Sequence, residues 1–205
     1  MKDTQFVKRL VRFSALLASL TLPLAAVAQS APAGTQQLQL SAFIAGTGTF
    51  TNFEGGKNLD VTAGADLDYL GFRHFTPGFE VRGSYPIDGG HISSQKSFLL
   101  GPRLVYPIGR LHPYVDFLVG RGQIEYLHGG FIVGYVDYLS SNTFVYSPGV
   151  GLNYNLTHNL ALKADVQYQH WNLPFTPPGS IHPKAISLGG VYTFDFNRGH
   201  RHQLP

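Results

Sequence analysis

Six charged side chains occur at alternating positions of segments that are otherwise rich in apolar, glycine, serine and threonine residues. The set holds three carboxylates and three basic groups: Asp66, Arg82, Arg103, Asp116, Lys163 and Asp165. Such groups can leave water at tolerable cost only when they are paired. We therefore predict a charge network in an enclosed interior. The alternative is an ordinary solvated surface, where ion pairs contribute little.

Other residue types that could do chemistry give weaker patterns. The triplet His91-Ile92-Ser93 is superficially similar to the His-x-Ser of outer-membrane deacylases, but no flanking residues of that pattern accompany it. A nucleophile also needs a base and an orienting group within hydrogen-bond reach. The other histidines are scattered and the chain has no cysteine, so we predict no catalytic residues, no metal site and no cofactor.

The N-terminus has the organisation of a cleaved signal peptide, residues 1–28. Basic residues precede an apolar run at 13–26, and Ala26-Val27-Ala28 gives the small-x-small pattern of a cleavage site. The alternative, an anchoring helix, is disfavoured by Pro23 within the run. Removing the segment takes away four basic residues and one acidic residue, so the formal charge of +3 falls to about zero. The basic composition therefore does not indicate nucleic-acid binding.

Period-two alternation organises the rest of the chain into eight predicted strands between residues 37 and 196. The clearest strand runs from Lys184 to Phe196. Short connections alternate with four longer loops, which are Gly48 to Asn58, Pro86 to Lys96, Leu127 to Asn142 and Asn172 to Pro183. An even strand number with this loop asymmetry is typical of transmembrane barrels, whose strands of about 10 residues span the bilayer at a tilt of ~45°.

Three places depart from regular alternation. Pro102 and Pro148 lie inside the fourth and sixth predicted strands, where a proline removes a donor from the hydrogen-bond ladder. The pattern also weakens around Gly120-Arg121-Gly122. We expect a bulge at the glycines, and either bulges or shifted strand boundaries at the prolines.

Alternation alone fits both a membrane barrel with its apolar face outside and a soluble carrier of the lipocalin type with an apolar interior. The charged residues on the other face decide between the two. Because the six charges could pair across a lumen just wide enough for side chains, we predict a plugged interior with no wide pore. The aromatic residues would then form two interfacial girdles. The girdle residues are Tyr69, Phe79, Tyr106, Tyr154, Phe194 and Phe196 at the short-turn ends, and Phe98, Phe144 and Tyr168 at the long-loop ends.

The terminal segment Tyr192-Thr193-Phe194-Asp195-Phe196 resembles the closing strand of Gram-negative outer-membrane β-barrels. The resemblance implies that this strand pairs with the first one. It also implies that the barrel assembly machinery reads Tyr192, Phe194 and Phe196 as its signal. From Gln37 to Phe196 the chain resembles the small OmpA-like barrels, with residues 29–36 as a linker and residues 197–205 as a tail.

This resemblance implies an all-β fold, an eight-stranded antiparallel up-and-down transmembrane β-barrel. It implies a monomer in the cell outer membrane, surrounded by lipid and lipopolysaccharide, with long loops extracellular and both termini periplasmic. The expected role is structural or surface-interactive. The alternatives are an enzyme that modifies lipid A by acyl transfer or deacylation, and the lipocalin-like carrier of a hydrophobic ligand.

Overall fold

The computed structural model describes residues 38–51, 56–70, 72, 74–88, 93–126, 131–133, 136–138, 140–173 and 179–194. The predicted signal peptide, linker and tail lie outside these ranges, as do His91 and Phe196. The strands are β1 (Leu38–Phe50), β2 (Lys57–Tyr69), β3 (Thr76–Asp88), β4 (Ser93–Val105), β5 (Leu111–Tyr126), β6 (Phe131–Val133), β7 (Val136–Tyr138), β8 (Ser140–Asn155), β9 (Leu160–Tyr168), β10 (His170–Asn172), β11 (Ser180–Ile181) and β12 (Lys184–Thr193).

Antiparallel pairing closes these strands into a barrel. β1 pairs with β2 on one edge and with β12 on the other, where Ser41 lies opposite Thr193 and Phe50 opposite Lys184. β9 joins β12 to β8 and completes the ring. The short strands β10 and β11 extend the wall at the long-loop end, and β6 and β7 form a separate hairpin. The predicted eight-stranded antiparallel barrel is confirmed.

The strands reach further toward the long-loop end than alternation predicts. β1 and β2 enclose a connection of only 51–56, which the Thr51 N–H closes by donating to the Gly56 carbonyl at 3.0 Å. β3 likewise continues to Asp88, and β8 begins at Ser140. In β1 and β2 the inner positions of these extensions hold small polar residues such as Thr49 and Asn58, which give a weaker hydropathy alternation than the rest of the wall. The closing strand is shorter than predicted: β12 ends at Thr193, and the Phe194 N–H still donates to the Leu40 carbonyl at 2.9 Å.

Neither proline produces a bulge. The register of β4 on β5 is the same on both sides of Pro102, although the paired residues break off between Leu100 and Arg103. At Pro148 the pairing continues toward β5 but is interrupted toward β9 and β10. Each proline therefore costs local ladder bonds without shifting the register.

The register shift lies elsewhere. Pairing runs continuously through Gly120–Gly122, so the bulge predicted there was wrong. The irregularity is on β3, where Leu59 lies opposite Asp88 and Asp60 opposite Pro86, which leaves Ile87 as the extra residue.

The apolar face of the wall points outward. Along β9 the exposed residues Leu162, Val166 and Tyr168 alternate with the buried Lys163 and Asp165. The eight described girdle aromatics are all exposed. This orientation excludes a lipocalin-like apolar interior lined by the same face. Within the described ranges, no helix is long and apolar enough to cross a membrane.

Candidate functional site

The centre of the lumen is organised around Glu80 on β3, a side chain with no exposed surface. Its Oε1 accepts a hydrogen bond from Arg82 Nε at 2.6 Å, and its Oε2 accepts one from Lys163 Nζ at 3.1 Å. Arg103 Nη1 lies 3.7 Å from the same Oε2. One carboxylate thus contacts three cations from three strands, as a buried charge requires.

Arg82 connects Glu80 to the opposite wall. Its Nη2 and Nη1 donate to the two carboxylate oxygens of Asp165 at 3.1 and 3.4 Å. The Tyr114 hydroxyl donates to Asp165 Oδ2 at 3.2 Å, and Arg82 Nη2 lies 3.9 Å from Asp116. This two-pronged geometry is one that a guanidinium provides and an ammonium does not.

Asp116 is held mainly by an amide. Gln167 Nε2 donates to both of its oxygens at 3.0 Å, and the Gln167 Oε1 accepts a hydrogen bond from Ser147 at 2.7 Å. These three side chains are buried on β5, β9 and β8. They extend the network around the inner wall without adding a cation.

Arg103 holds the part of the network nearest the short turns. It contacts Asp66 directly, its Nη2 is 4.0 Å from Asp68, and its guanidinium lies 4.5 Å from the centre of the Tyr114 ring. Lys163 Nζ is 3.7 Å from Asp66. Removal of Arg103 would therefore leave Asp66 with Lys163 as its neighbouring cation and would take away the cation beside Asp68.

The structure brings all six residues of the predicted charge network together, each at most 7% exposed. It adds two carboxylates that the prediction omitted, Glu80 and Asp68, whereas the buried Asp60 accepts a hydrogen bond from Thr49. Among the described residues, the buried charged side chains of the lumen are Asp60, Asp66, Asp68, Glu80, Asp116, Asp165, Arg82, Arg103 and Lys163. The signal was available, because Glu80 shares the polar face of β3 with Arg82, and Asp68 that of β2 with Asp66. Carboxylates outnumber cations in this set.

A cluster of buried apolar side chains, which we call the plug, lies in the lumen nearer the long loops. Trp171 is 1% exposed, and its indole Nε1 donates to Gln169 Oε1 at 2.8 Å. A Cβ at Gly122 would lie 2.3 Å from two carbons of the indole ring, so the glycine leaves the space that the ring occupies. The plug consists of Leu99, Leu118, Ile124, Val145, Trp171, Leu173 and Ile181. Sequence reasoning missed this plug.

A polar cavity of about 290 Å³ lies at the short-turn end of the lumen. Asp66, Asp68, Arg103 and Asn153 line it. Within the described part of the chain, Asp68 Oδ1 and Asn153 Oδ1 are buried without a hydrogen-bond partner. The ion network lies between this cavity and the apolar plug.

A histidine pair lies on the wall at the long-loop end. His170 Nδ1 and His182 Nδ1 are 3.0 Å apart, and the rings stack on Tyr146 and Tyr168. The pair ties β10 to the segment before β12. In the described ranges, no group of three or more histidine, aspartate or glutamate side chains is arranged to hold a metal ion. The predicted His91-Ile92-Ser93 triplet cannot be placed, since His91 is outside the described residues.

Comparison with known proteins agrees with this architecture. The sequence matches the model of the outer membrane protein beta-barrel domain over residues 14–194. Similar solved structures include Ail of Yersinia pestis in complex with the heparin analogue sucrose octasulfate, at 13% identity and a TM-score of 0.50, covering 77% of this chain and 97% of that chain. Neisserial surface protein A, at 13% identity and a TM-score of 0.49, covers 78% of this chain and 98% of its own.

The outer membrane enzyme PagL is also similar, at 16% identity and a TM-score of 0.43, covering 75% of this chain and 98% of that chain. Identities at this level show a shared fold and do not transfer a role. No curated protein sequence matches the chain.

Proposed function

Because the chain belongs to the outer membrane protein β-barrel family, we propose that it is a non-conducting barrel that anchors long loops at the cell surface. The observation that carries the proposal is the double seal of the lumen. Glu80 contacts three cations at mid-depth, and Trp171 closes the apolar plug above them. A pore protein would need a path past both layers.

The ion network is a strong barrier because its members are buried. Opening a path would separate Arg82 from Glu80 and Asp165, and breaking a buried pair costs about 3–5 kcal/mol. Salt does little to weaken such pairs, since buried charges are screened much less than exposed ones. The barrel therefore serves as a rigid anchor rather than a channel.

The long loops are the part of the chain available for surface partners. The proposed orientation places them outside the cell and both termini in the periplasm. It is supported by the positions of the two longest connections, β5 to β8 and β9 to β12, which lie at one end of the barrel, whereas turns such as 106–110 and 156–159 lie at the other end. Outer-membrane lipid and lipopolysaccharide surround the proposed monomer, and the assembly machinery reads Tyr192, Phe194 and Phe196. Loops carry binding functions because they can vary without disturbing the wall.

The proposal includes no catalytic step. Lipid A modification remains the enzymatic alternative, with His91-Ile92-Ser93 as its candidate residues. Mass spectrometry of lipid A from cells with and without the gene distinguishes the two. We expect identical acylation, and loss or gain of an acyl chain only in cells that carry the gene would establish the enzyme instead.

Epitope insertion tests location and orientation together. One epitope is placed after Gly55 in the β1–β2 loop, and a matched one after Gly109 in a short turn. Antibody should label intact cells only for the first insertion, and permeabilised cells for both. In the same membranes, unboiled protein should migrate faster in gels than boiled protein, as a closed barrel does. Labelling of the Gly109 epitope on intact cells would contradict the orientation, and recovery in the soluble fraction would contradict the location.

Replacing the loops tests the surface role. Each long connection is exchanged for a short glycine-containing turn while the strands are kept. If all such variants keep every surface phenotype of the parent cells, the role is structural and the surface-interaction part of the proposal fails.

A further inference from the structure

A groove of about 690 Å³ crosses the outer face of the wall from β2 to β8, near the long-loop end. Its floor is made of small residues, with Ala63 and Gly83 opposite each other in the register. A Cβ at Gly83 would meet nothing nearer than the Ser97 carbonyl oxygen at 3.9 Å. Tyr85 and Phe98, which are 63% and 55% exposed, line the same groove. The depression is thus an apolar trough between two aromatic side chains.

Arg121 lies at one end of this trough. It is exposed on β5 and sits beside Phe98 on β4 and Phe144 on β8 in the register. No carboxylate forms an ion pair with it in the part of the chain that the structure describes. A guanidinium next to apolar surface interacts strongly with an anion, because water screens it less there.

Lys96 is the second cation of the groove, and it already has partners. Its Nζ lies 5.3 Å from the Tyr85 ring and 2.5 Å from Glu125 Oε1. Lys96 therefore fixes Tyr85 at the edge of the trough and leaves Arg121 as the group with capacity for an anion. Gln123 and Asn142, opposite each other in the register, add two amide side chains beside these cations.

We propose that this groove binds one molecule of a phosphorylated glycolipid from the surrounding leaflet. An acyl chain lies along Ala63 and Gly83, a phosphate is held by Arg121, and sugar hydroxyls bond to Gln123 and Asn142. The inference rests on the proposed function, since the long-loop end must face the leaflet that contains such lipids.

The chemistry of the groove favours this occupant over others. Guanidinium and phosphate form paired hydrogen bonds of matched geometry, which an uncharged lipid cannot offer. Small residues let a straight chain approach the strand backbone, and each buried CH₂ contributes about 0.8 kcal/mol. A phospholipid could also pair with Arg121, but a glycolipid offers in addition sugar hydroxyls that the amides of Gln123 and Asn142 can bond.

Native mass spectrometry of the full barrel refolded in detergent tests the proposal. The probes are bisphosphorylated lipid A, the same lipid without its phosphates, and phosphatidylglycerol. Arg121→Gln should weaken lipid A binding about tenfold, the change expected when one charge-assisted hydrogen-bonded contact is lost. Dephosphorylated lipid A should bind the parent protein correspondingly weakly, and Arg121→Gln should then cause no further loss. Gly83→Leu should weaken both glycolipids by filling the trough.

Two matched variants control for general effects. Lys184→Gln removes an exposed cation from the same end of the barrel on β12, four strands from β4. Gly48→Leu adds the same side chain at another open outer position, where a Cβ meets no atom within 4 Å. Both should bind lipid A within about twofold of the parent, as expected of sites without shared contacts.

Three results would overturn the inference. They are parent-like lipid A binding by Arg121→Gln, an equal loss in Lys184→Gln, or phosphatidylglycerol binding as tight as lipid A. The faster migration of unboiled protein is measured for every variant in parallel. If the parent itself shows no such shift, the proposed function fails, whereas barrels that keep the shift and bind no lipid A contradict only the groove.

Discussion

Replacing Arg103 by methionine removes a cation from the ion network around Glu80 while keeping an unbranched side chain. Arg103 is 4% exposed and contacts Asp66, with Asp68 and Glu80 at 4.0 and 3.7 Å. Since carboxylates already outnumber cations in the described lumen, the loss leaves Asp66 and Asp68 without an adequate partner. Stranding a buried charge costs about 3–5 kcal/mol, which lowers the ratio of folded to unfolded protein by roughly two to three and a half orders of magnitude.

The matched control is Lys96→Met. Lys96 and Glu125 form an ion pair with an N–O distance of 2.5 Å, but their side chains are 32% and 41% exposed. Exposed pairs contribute about 0–1 kcal/mol, so this variant should unfold at nearly the parental urea concentration. The double variant Arg103→Met with Asp66→Asn should recover part of the lost stability, because it also removes one of the stranded charges.

Urea unfolding in lipid vesicles measures all four proteins. Trp171, the only tryptophan in the chain, is buried in the plug, so its fluorescence reports the opening of the barrel. The midpoint of Arg103→Met should fall well below that of Lys96→Met. Equal midpoints for the two variants would refute the description of the lumen as a desolvated ion network.

Further predictions concern the plug, the closing strand and the histidine pair. Gly122→Val places a side chain where Trp171 lies, so acrylamide should quench its fluorescence more than in the parent; Gly83→Val, at an open position, should not have this effect. Phe194→Ala should reduce the heat-shifted fraction in cells but not after refolding in vitro, and equal losses in both would argue against an assembly signal. Burial, and then His182, lower the pKa of His170, so its packing is intact above the ordinary pKa of ~6.5 and weakens as the pH falls below it. Hydrogen exchange at Trp171, corrected for intrinsic rates, should therefore be faster at pH 5 than at pH 7.5, and the same pH dependence in His170→Phe would disprove the assignment to this residue.

Alternation predicted the strands of the wall, and the charges gathered on one face predicted which face points inward. Each strand of the wall repeats the same two-residue period, and residues such as Lys163 and Asp165 cannot face lipid without a large cost. The predicted set of six residues therefore converges in the structure, with Glu80 at its centre as the main omission. Its position on the same face as Arg82 would have justified including it.

The apolar plug could not be predicted in the same way. Alternation shows which face a residue occupies, but not its depth in the lumen or its neighbours across the barrel. Leu99, Leu118 and Val145 occupy inner positions, yet an apolar residue inside a strand looks the same on either face. Their meeting with Trp171 depends on the registers of β4, β5 and β8 and on the space left by Gly122, which only the folded structure provides.

The strand ends were misplaced for a related reason. Toward the long-loop ends, polar residues such as Thr49, Asn58 and Asn142 replace apolar ones, so the hydropathy alternation weakens while the hydrogen-bond ladder continues. Pro102 and Pro148 show the opposite case, where alternation correctly indicated a strand although proline removes a ladder donor. The missing bonds are tolerated because the register on both sides holds the strand in place.

Electrical recording across a planar lipid bilayer tests the sealed lumen most directly. Purified barrel, refolded and verified by its faster migration before boiling, is inserted into the bilayer in concentrated potassium chloride. The account predicts no stable conductance above that of the bare bilayer, because the ion layer around Glu80 and the plug around Trp171 leave no continuous path. Discrete, long-lived conductance steps that scale with the amount of inserted protein would contradict it.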